Sequence, residues 1–284
     1  MPTMDPTDFR NKQNSLAKAH ARESNPINDT PLRRFLVLAA LKIWKTFSRQ
    51  RGGVTFLPGR ICVKYSSLAE ASTLQFISQH TSIPVPRVYC SFTHKDQTYI
   101  VMQKIHGEML AHGWLSRTAE SKSKIHSQLR EMVAEMRKLP PITCRVSNVD
   151  GGILYDGRID GPMNFGPFEN IQKFHQYLRG GLDAHETNLD DVKELIAWHD
   201  GTWNMPVFTH GDLSSLNILA RGDKVVGIVD WETSGWYPDY WEYTTAKQTN
   251  PFNLFWKDEI DSFLEPLPKA QAMEEIRQRY FGDY

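Results

Sequence analysis

Cysteine is scarce in this chain. Cys62, Cys90 and Cys144 are spread over 284 residues with no CxxC pair, which argues against a disulfide framework and against a structural zinc site. Net charge is lacking too. The 33 lysines and arginines balance 33 aspartates and glutamates, so no bulk attraction to nucleic acid or an anionic membrane is expected. The most apolar run, Phe35 to Trp44, is broken by Lys42 and is too short to span a bilayer. The opening MPTMDPTDFRNKQN has no apolar h-region, so no secretory signal is expected there. No GxxxxGK[ST] phosphate loop occurs. These absences make a soluble, reduced, cytoplasmic protein the expectation, with no nucleic-acid or membrane partner. They leave the oligomeric state open.

What is present is enough for a packed core: 40% hydrophobic residues and eight tryptophans, in a length that suits one large domain or two lobes. Residues 1–28 are polar and aperiodic and read as a loose, flexible tail. Thr30-Pro31 reads as a helix start. That helix should run to about Ser48, with Leu32, Phe35, Leu36, Ala39, Ile43 and Phe47 on one face, and end at Gly52-Gly53. Short strands follow at Val54 to Leu57 and Arg60 to Tyr65 around Pro58-Gly59, then a helix from Leu68 to His80. Val88 to Phe92 and Thr98 to Gln103 read as a hairpin. A long helix is expected from Thr118 to Lys138, a glycine- and proline-rich ordered excursion over 144–168, and further helices over 169–179, 189–200, 257–264 and 268–280. The expected architecture is α+β, with a small N-terminal sheet-plus-helix lobe over 29–105 and a larger helical C-terminal lobe over 106–284.

The segment from Phe208 to Glu232, FTHGDLSSLNILARGDKVVGIVDWE, carries the chemistry. Two apolar strands flank the turn Arg221-Gly222-Asp223-Lys224. A hairpin of that kind sets Asn217, at the start of the first strand, beside Asp230, at the end of the second. Asp212 lies five residues before Asn217. An acid, an amide and a second acid are what metal-assisted phosphoryl transfer requires. Asp230 and Asn217 offer the hard oxygens that Mg²⁺ prefers, and Asp212 can orient a hydroxyl and accept its proton.

The order Asp, four residues, Asn, then Asp after the next strand is that of the kinase catalytic loop and its DFG aspartate. Here Gly211 replaces the usual arginine, and the DFG position reads Asp-Trp-Glu. HGDxxxxN followed by Asp-Trp-Glu resembles the aminoglycoside phosphotransferase family, which also holds choline-kinase-like and other small-molecule kinases. Gly235-Trp236-Tyr237-Pro238 and Tyr240-Trp241-Glu242-Tyr243 look like its fungal branch. The resemblance covers roughly residues 52–250. It implies a two-lobed protein-kinase-like fold, ATP or GTP with Mg²⁺ as cofactors, and a small-molecule hydroxyl substrate. Ile61-Cys62-Val63-Lys64 resembles the strand with the phosphate-contacting lysine, and Glu70 sits where its partner acid would lie. Gln103 to Ile105 would contact adenine, with Met102 behind them.

Less pointed readings accompany these. Asp223 reads as a solvated turn residue, His210 as a support for the loop rather than a base, and Glu232 as a local cap or partner. Glu242 is a candidate for a buried acid bracing the catalytic loop. Trp231, Trp236 and Trp241 read as core or pocket wall, since basic residues are not interleaved as in a base-stacking platform. His185-Glu186 and His199-Asp200 lack a third partner at zinc spacing. Only Gly52-Gly53 and Pro58-Gly59 precede Lys64 where a kinase has a glycine-rich loop. Three functions therefore compete: a small-molecule kinase, a catalytically silent kinase-like module that binds nucleotide or a metabolite, and a structural protein. Retention of Lys64, Asp212, Asn217 and Asp230 together favours the first.

Overall fold

The computed structural model describes residues 6–18, 21–44, 53–248 and 253–282. Helices α1 (Pro6–Lys18) and α2 (Pro31–Trp44) come first. Strands β1 (Val54–Leu57) and β2 (Ile61–Ser66) lead to α3 (Leu68–His80), then β3 (Val88–His94) and β4 (Gln97–Gln103). Strand β5 (Glu108–Met109) precedes the long helix α4 (Ala119–Arg137). The excursion carries β6 (Leu154–Tyr155) and β7 (Asn164–Phe165), followed by α5 (Ile171–Leu178) and α6 (Asp190–His199). Strands β8 (Val207–Thr209), β9 (Ile218–Arg221), β10 (Lys224–Ile228) and β11 (Gly235–Tyr237) come next. Helices α7 (Trp241–Lys247), α8 (Trp256–Glu259) and α9 (Pro268–Phe281) complete the order. Among the described residues, no helix is long and apolar enough to cross a membrane.

Two compact units emerge, and neither is contiguous. A sheet unit comprises residues 24–136 and 214–232; a helical unit comprises the described residues of 1–23, 137–213 and 233–284. The sequence reading divided the chain at residue 105, whereas almost all of α4 and the β9–β10 hairpin group with the sheet.

In the sheet unit four antiparallel strands run in the order β1-β2-β4-β3. Alternation along β2 sets Cys62 and Lys64 on one face and Val63 on the other, where Val63 joins a core of Leu41, Cys90, Phe92 and Val101. The Ser67 hydroxyl caps α3 by accepting the Glu70 N–H at 3.1 Å, which fixes Glu70 in the first turn. Hairpin β9–β10 pairs with β5, and a hypothetical Cβ on Gly227 would come within 2.5 Å of Ile105. Its turn is fastened to α4. Ser121 donates to Asp223 at 2.7 Å and Arg117 lies 3.5 Å from the same carboxylate, so Asp223 is exposed but not merely solvated.

Helix α2 forms as expected, but the stripe read as its packing face points outward. Leu32, Phe35, Leu36 and Ile43 are exposed, while Leu41 is buried with Val37 and Leu38 packed beside it. The helix is apolar almost all round, so periodicity could not choose its buried side. Phe47, Ser48 and Gly52 lie outside the described residues.

The helical unit has an aromatic core in which Phe165, Phe168, Phe174, Tyr177, Tyr237, Tyr240 and Trp241 pack together. The segment expected to be a loose tail contains α1, which docks onto this unit. Arg10 and Asn14 are buried, and Arg10 donates to the carbonyls of Tyr177 (3.2 Å), Leu178 (3.0 Å) and Phe281 (3.3 Å) and pairs with Asp160. A polar residue that satisfies buried carbonyls leaves no apolar period to read.

Candidate active site

The sheet unit gathers charge around one ammonium. Lys64 Nζ lies 2.8 Å from Glu70, in hydrogen-bond contact with Asp230, and 3.7 Å from Glu232. Strand β2 brings in the lysine, α3 the first acid and the end of hairpin β9–β10 the others. Burial works against the Lys64 charge, but Glu70 and then Asp230 outweigh it, and its pKa is raised. Glu232 is pushed upward by burial, with Lys64 opposing. Its partner, Lys64, lies far back in the chain, not among its neighbours as a local cap or pair requires. Val229 N–H donates to the Asn217 carbonyl at 2.9 Å, so Asn217 sits across the hairpin from the neighbour of Asp230. Asp230 itself takes a left-handed backbone, φ 67°, a strained conformation of a kind that clusters at functional sites.

Oxygens of Glu70, Asp230 and Glu232 come within 4.8 Å of one another. Three carboxylates against one ammonium leave unbalanced negative charge, and an all-oxygen set is what a hard divalent cation takes. The residues present therefore fit Mg²⁺. In the same unit, Met102 is buried in β4 opposite Cys62. The Gln103 N–H donates to Arg87 at 2.9 Å, and Ile105 packs on Gly227.

The helical unit holds Asp212 on a tightly specified loop. Glu242 is buried, and its two oxygens accept the N–H groups of His210 (2.6 Å) and Gly211 (3.1 Å). Burial pushes the Glu242 carboxyl up to about 7 against those two N–H groups and Arg137. Thr233 donates to the His210 carbonyl at 3.0 Å, and the Asp212 N–H donates to His210 Nδ1 at 3.1 Å. Gly211 has φ +81°, and a Cβ there would sit 2.9 Å from the Thr233 carbonyl oxygen, so glycine is required. His210, wholly buried with Nδ1 accepting, is a support for the loop.

Nothing in the sequence sets one residue of the 144–168 excursion, Arg158, beside this loop. Arg158 donates to both oxygens of buried Asp156 (2.9 and 2.7 Å) and to the Gly211 carbonyl at 2.5 Å, and its Nη1 lies 4.0 Å from Asp212 Oδ1. Only its place two residues after Asp156 hints at the first of these contacts.

The profile of the phosphotransferase enzyme family matches residues 64–272, most of the chain. This chain belongs to that family. Its fold is the two-lobed, kinase-like fold of the aminoglycoside phosphotransferases. The solved structure of aminoglycoside phosphotransferase APH(4)-Ia is similar at TM-score 0.56 and 13% identity, covering 88% of this chain and 90% of that one. A thermostable mutant of that enzyme, in ternary complex with AMP-PNP and hygromycin B, matches at TM-score 0.55 and 13% identity, covering 84% and 87%. Among curated proteins, a probable acyl-CoA dehydrogenase, IBR3, of Arabidopsis thaliana is 25% identical over 179 residues, covering 58% of this chain and 20% of that protein. A subtelomeric hrmA-associated cluster protein of Aspergillus fumigatus is 32% identical over 72 residues, covering 24% of this chain and 14% of that protein. This chain thus spans about a fifth or less of the length of the curated relatives it matches.

Proposed function

We propose that this phosphotransferase is a kinase that moves the γ-phosphoryl group of ATP or GTP to a hydroxyl of a small molecule. The observation that carries the reading is the convergence of Lys64, Glu70 and Asp230, a cation held by two acids from three separate elements. A scaffold has no physical need for that buried arrangement, since two charges taken out of water gain little stability.

Mg²⁺-nucleotide, when bound, supplies the transferable phosphoryl group and the positive charge that offsets its oxygens. Asp230 and Asn217 would ligate the metal, and Lys64, kept in place by Glu70, would contact the phosphates. Met102, Gln103 and Ile105 would form the adenine-facing segment. Asp212 would hydrogen-bond the acceptor hydroxyl and take its proton as the new P–O bond forms and the bond to the departing nucleoside diphosphate breaks. Its loop would hold that carboxylate in one orientation through Glu242, His210 and Gly211. Support for a nucleotide comes from the related enzyme solved with AMP-PNP.

A silent nucleotide-binding module is the second reading. It is favoured by the short turn between β1 and β2, where Gly59 and Arg60 take left-handed backbone and the described residues include no glycine-rich loop. Thermal melting with ATP or GTP, with and without Mg²⁺, combined with an assay for nucleoside diphosphate release, separates the two. We expect a Mg²⁺-dependent rise in wild type that Asp230→Ala loses, and turnover that Asp212→Asn abolishes while its melting shift remains. A shift without turnover across acceptor classes would leave the silent module standing; equal turnover in wild type and Asp212→Asn would remove the proposed base.

A further inference from the structure

We infer that Arg158 selects the acceptor, and that the acceptor is a hydroxyl compound carrying an anionic group, a carboxylate or a phosphate, rather than a polycation. The inference rests on the phosphotransfer reading above and concerns the helical unit alone.

Three observations carry it. First, the arginine is fixed. Two parallel hydrogen bonds to Asp156, itself buried, and one to the Gly211 carbonyl use Nε and Nη2. A guanidinium held by its fork is rigid and fully charged. Second, its remaining nitrogen, Nη1, is turned to the proposed base. It forms a 4.0 Å ion pair with Asp212 Oδ1, too long for a hydrogen bond, so its N–H groups retain donor capacity next to where an acceptor hydroxyl would sit. The side chain stays 30% exposed, so a solute can reach it. Third, two of the three acids of the excursion do not offer themselves to a cation. Asp156 is consumed by Arg158 and Asp160 is paired with buried Arg10, which leaves Asp150 alone with a carboxylate oxygen that no group bonds.

A polycationic acceptor needs several unpaired carboxylates, and two of the excursion's three are committed to arginines. A hydroxyl compound with an anionic neighbour gains at Arg158. Its hydroxyl can face Asp212 while its charged group accepts from Nη1, in the planar geometry that arginine offers carboxylates and phosphates.

The test uses the full chain with Mg²⁺-ATP and a matched acceptor panel: hydroxy acids, hydroxyl-bearing phosphate monoesters, neutral polyols, and amino alcohols or aminocyclitols. ADP release gives kcat and KM, and calorimetry gives acceptor binding without nucleotide. Wild type should favour an anionic class, the hydroxy acid and phosphate arms telling carboxylate from phosphate. Arg158→Gln should lower the anionic-to-neutral ratio of kcat/KM about 10- to 100-fold, mostly through KM, the range for one charged hydrogen bond. Arg158→Lys should restore part of it. Because Arg158→Gln strands a buried carboxylate, Asp156→Asn/Arg158→Gln is run beside it and should show the same loss of ratio in a folded protein. Preference for a cationic acceptor, or an equal fall for all classes with the ratio kept, overturns the inference and leaves phosphotransfer intact. No turnover of any class, with no Mg²⁺-nucleotide binding, removes both.

Discussion

Lys64 carries one positive charge and faces three acids, of which Glu70 is only 1% exposed. Breaking such a buried pair from one side strands the other charge, at a cost of about 3–5 kcal/mol. Lys64→Met should therefore lower the urea midpoint strongly, and Lys64→Met/Glu70→Met should recover most of the loss. If the single and double variants melt alike, the pair is not coupled. His175 supplies a second residue-level expectation. Its imidazole is buried, hydrogen-bonded to the His199 carbonyl (3.0 Å) and the Tyr240 hydroxyl (2.8 Å). A carbonyl only accepts, so Nδ1 carries the proton and Nε2 accepts from Tyr240. Burial holds the neutral ring, with a pKa lowered to about 3. Below the ordinary value near 6.5 the unfolded chain binds a proton that the folded protein refuses, so stability falls as pH drops from about 6.5 towards 3. Each pH unit costs about 1.4 kcal/mol for one such group. Glu242, raised to about 7, gives the opposite slope between about 4.5 and 7. The cleaner measurement is the wild-type minus His175→Phe difference in unfolding free energy across pH. A flat difference would contradict the buried neutral ring.

At the scale of elements, strands and caps were legible where residues punctuate themselves. Thr30-Pro31, Pro58-Gly59 and Arg221-Gly222 each mark a boundary that the structure keeps. The hairpin itself followed from the two apolar runs around that turn, but not its register, which shifts between Val225 and Gly227. The arginines were not legible. Arg10 and Arg158 act on partners far along the chain, Asp160 and Gly211, and no local pattern announces such a pairing. Nor was the buried side of α2, because almost every side of it is apolar. That helix yields a paired prediction. Leu41→Ala removes a methyl cluster from a filled core and should cost about 2–5 kcal/mol. Phe35→Ser, on the outward side, should stay within about 0.5 kcal/mol. Chemical denaturation of both variants decides it, and the reverse order would mean that the helix sits the other way round.

For the whole molecule, α1 is part of the fold. Arg10 satisfies three carbonyls and one carboxylate at once, contributed by the excursion, α5 and α9. Hydrogen bonds from a charged group contribute about 1.5–3 kcal/mol each and are not additive. Arg10→Ala should cost roughly 3 kcal/mol by thermal melting, and removal of residues 1–23 at least as much. A truncated protein that melts like wild type would return this segment to the status of a tail.

The interleaving of the units bears on how the chain is made. Residues 24–136 leave the ribosome as a block, but β9, β10 and Asp230 lie in the piece from 214 to 232. Between them come 77 residues of the other unit, on the order of 4–15 s of synthesis at about 5–20 residues per second. Through that interval β5 has no β9 to pair with, and Lys64 has Glu70 but not Asp230. The sheet of β5, β9 and β10 thus cannot form until that interval ends, and a chaperone that shields an unpaired β5 would meet its client in this window.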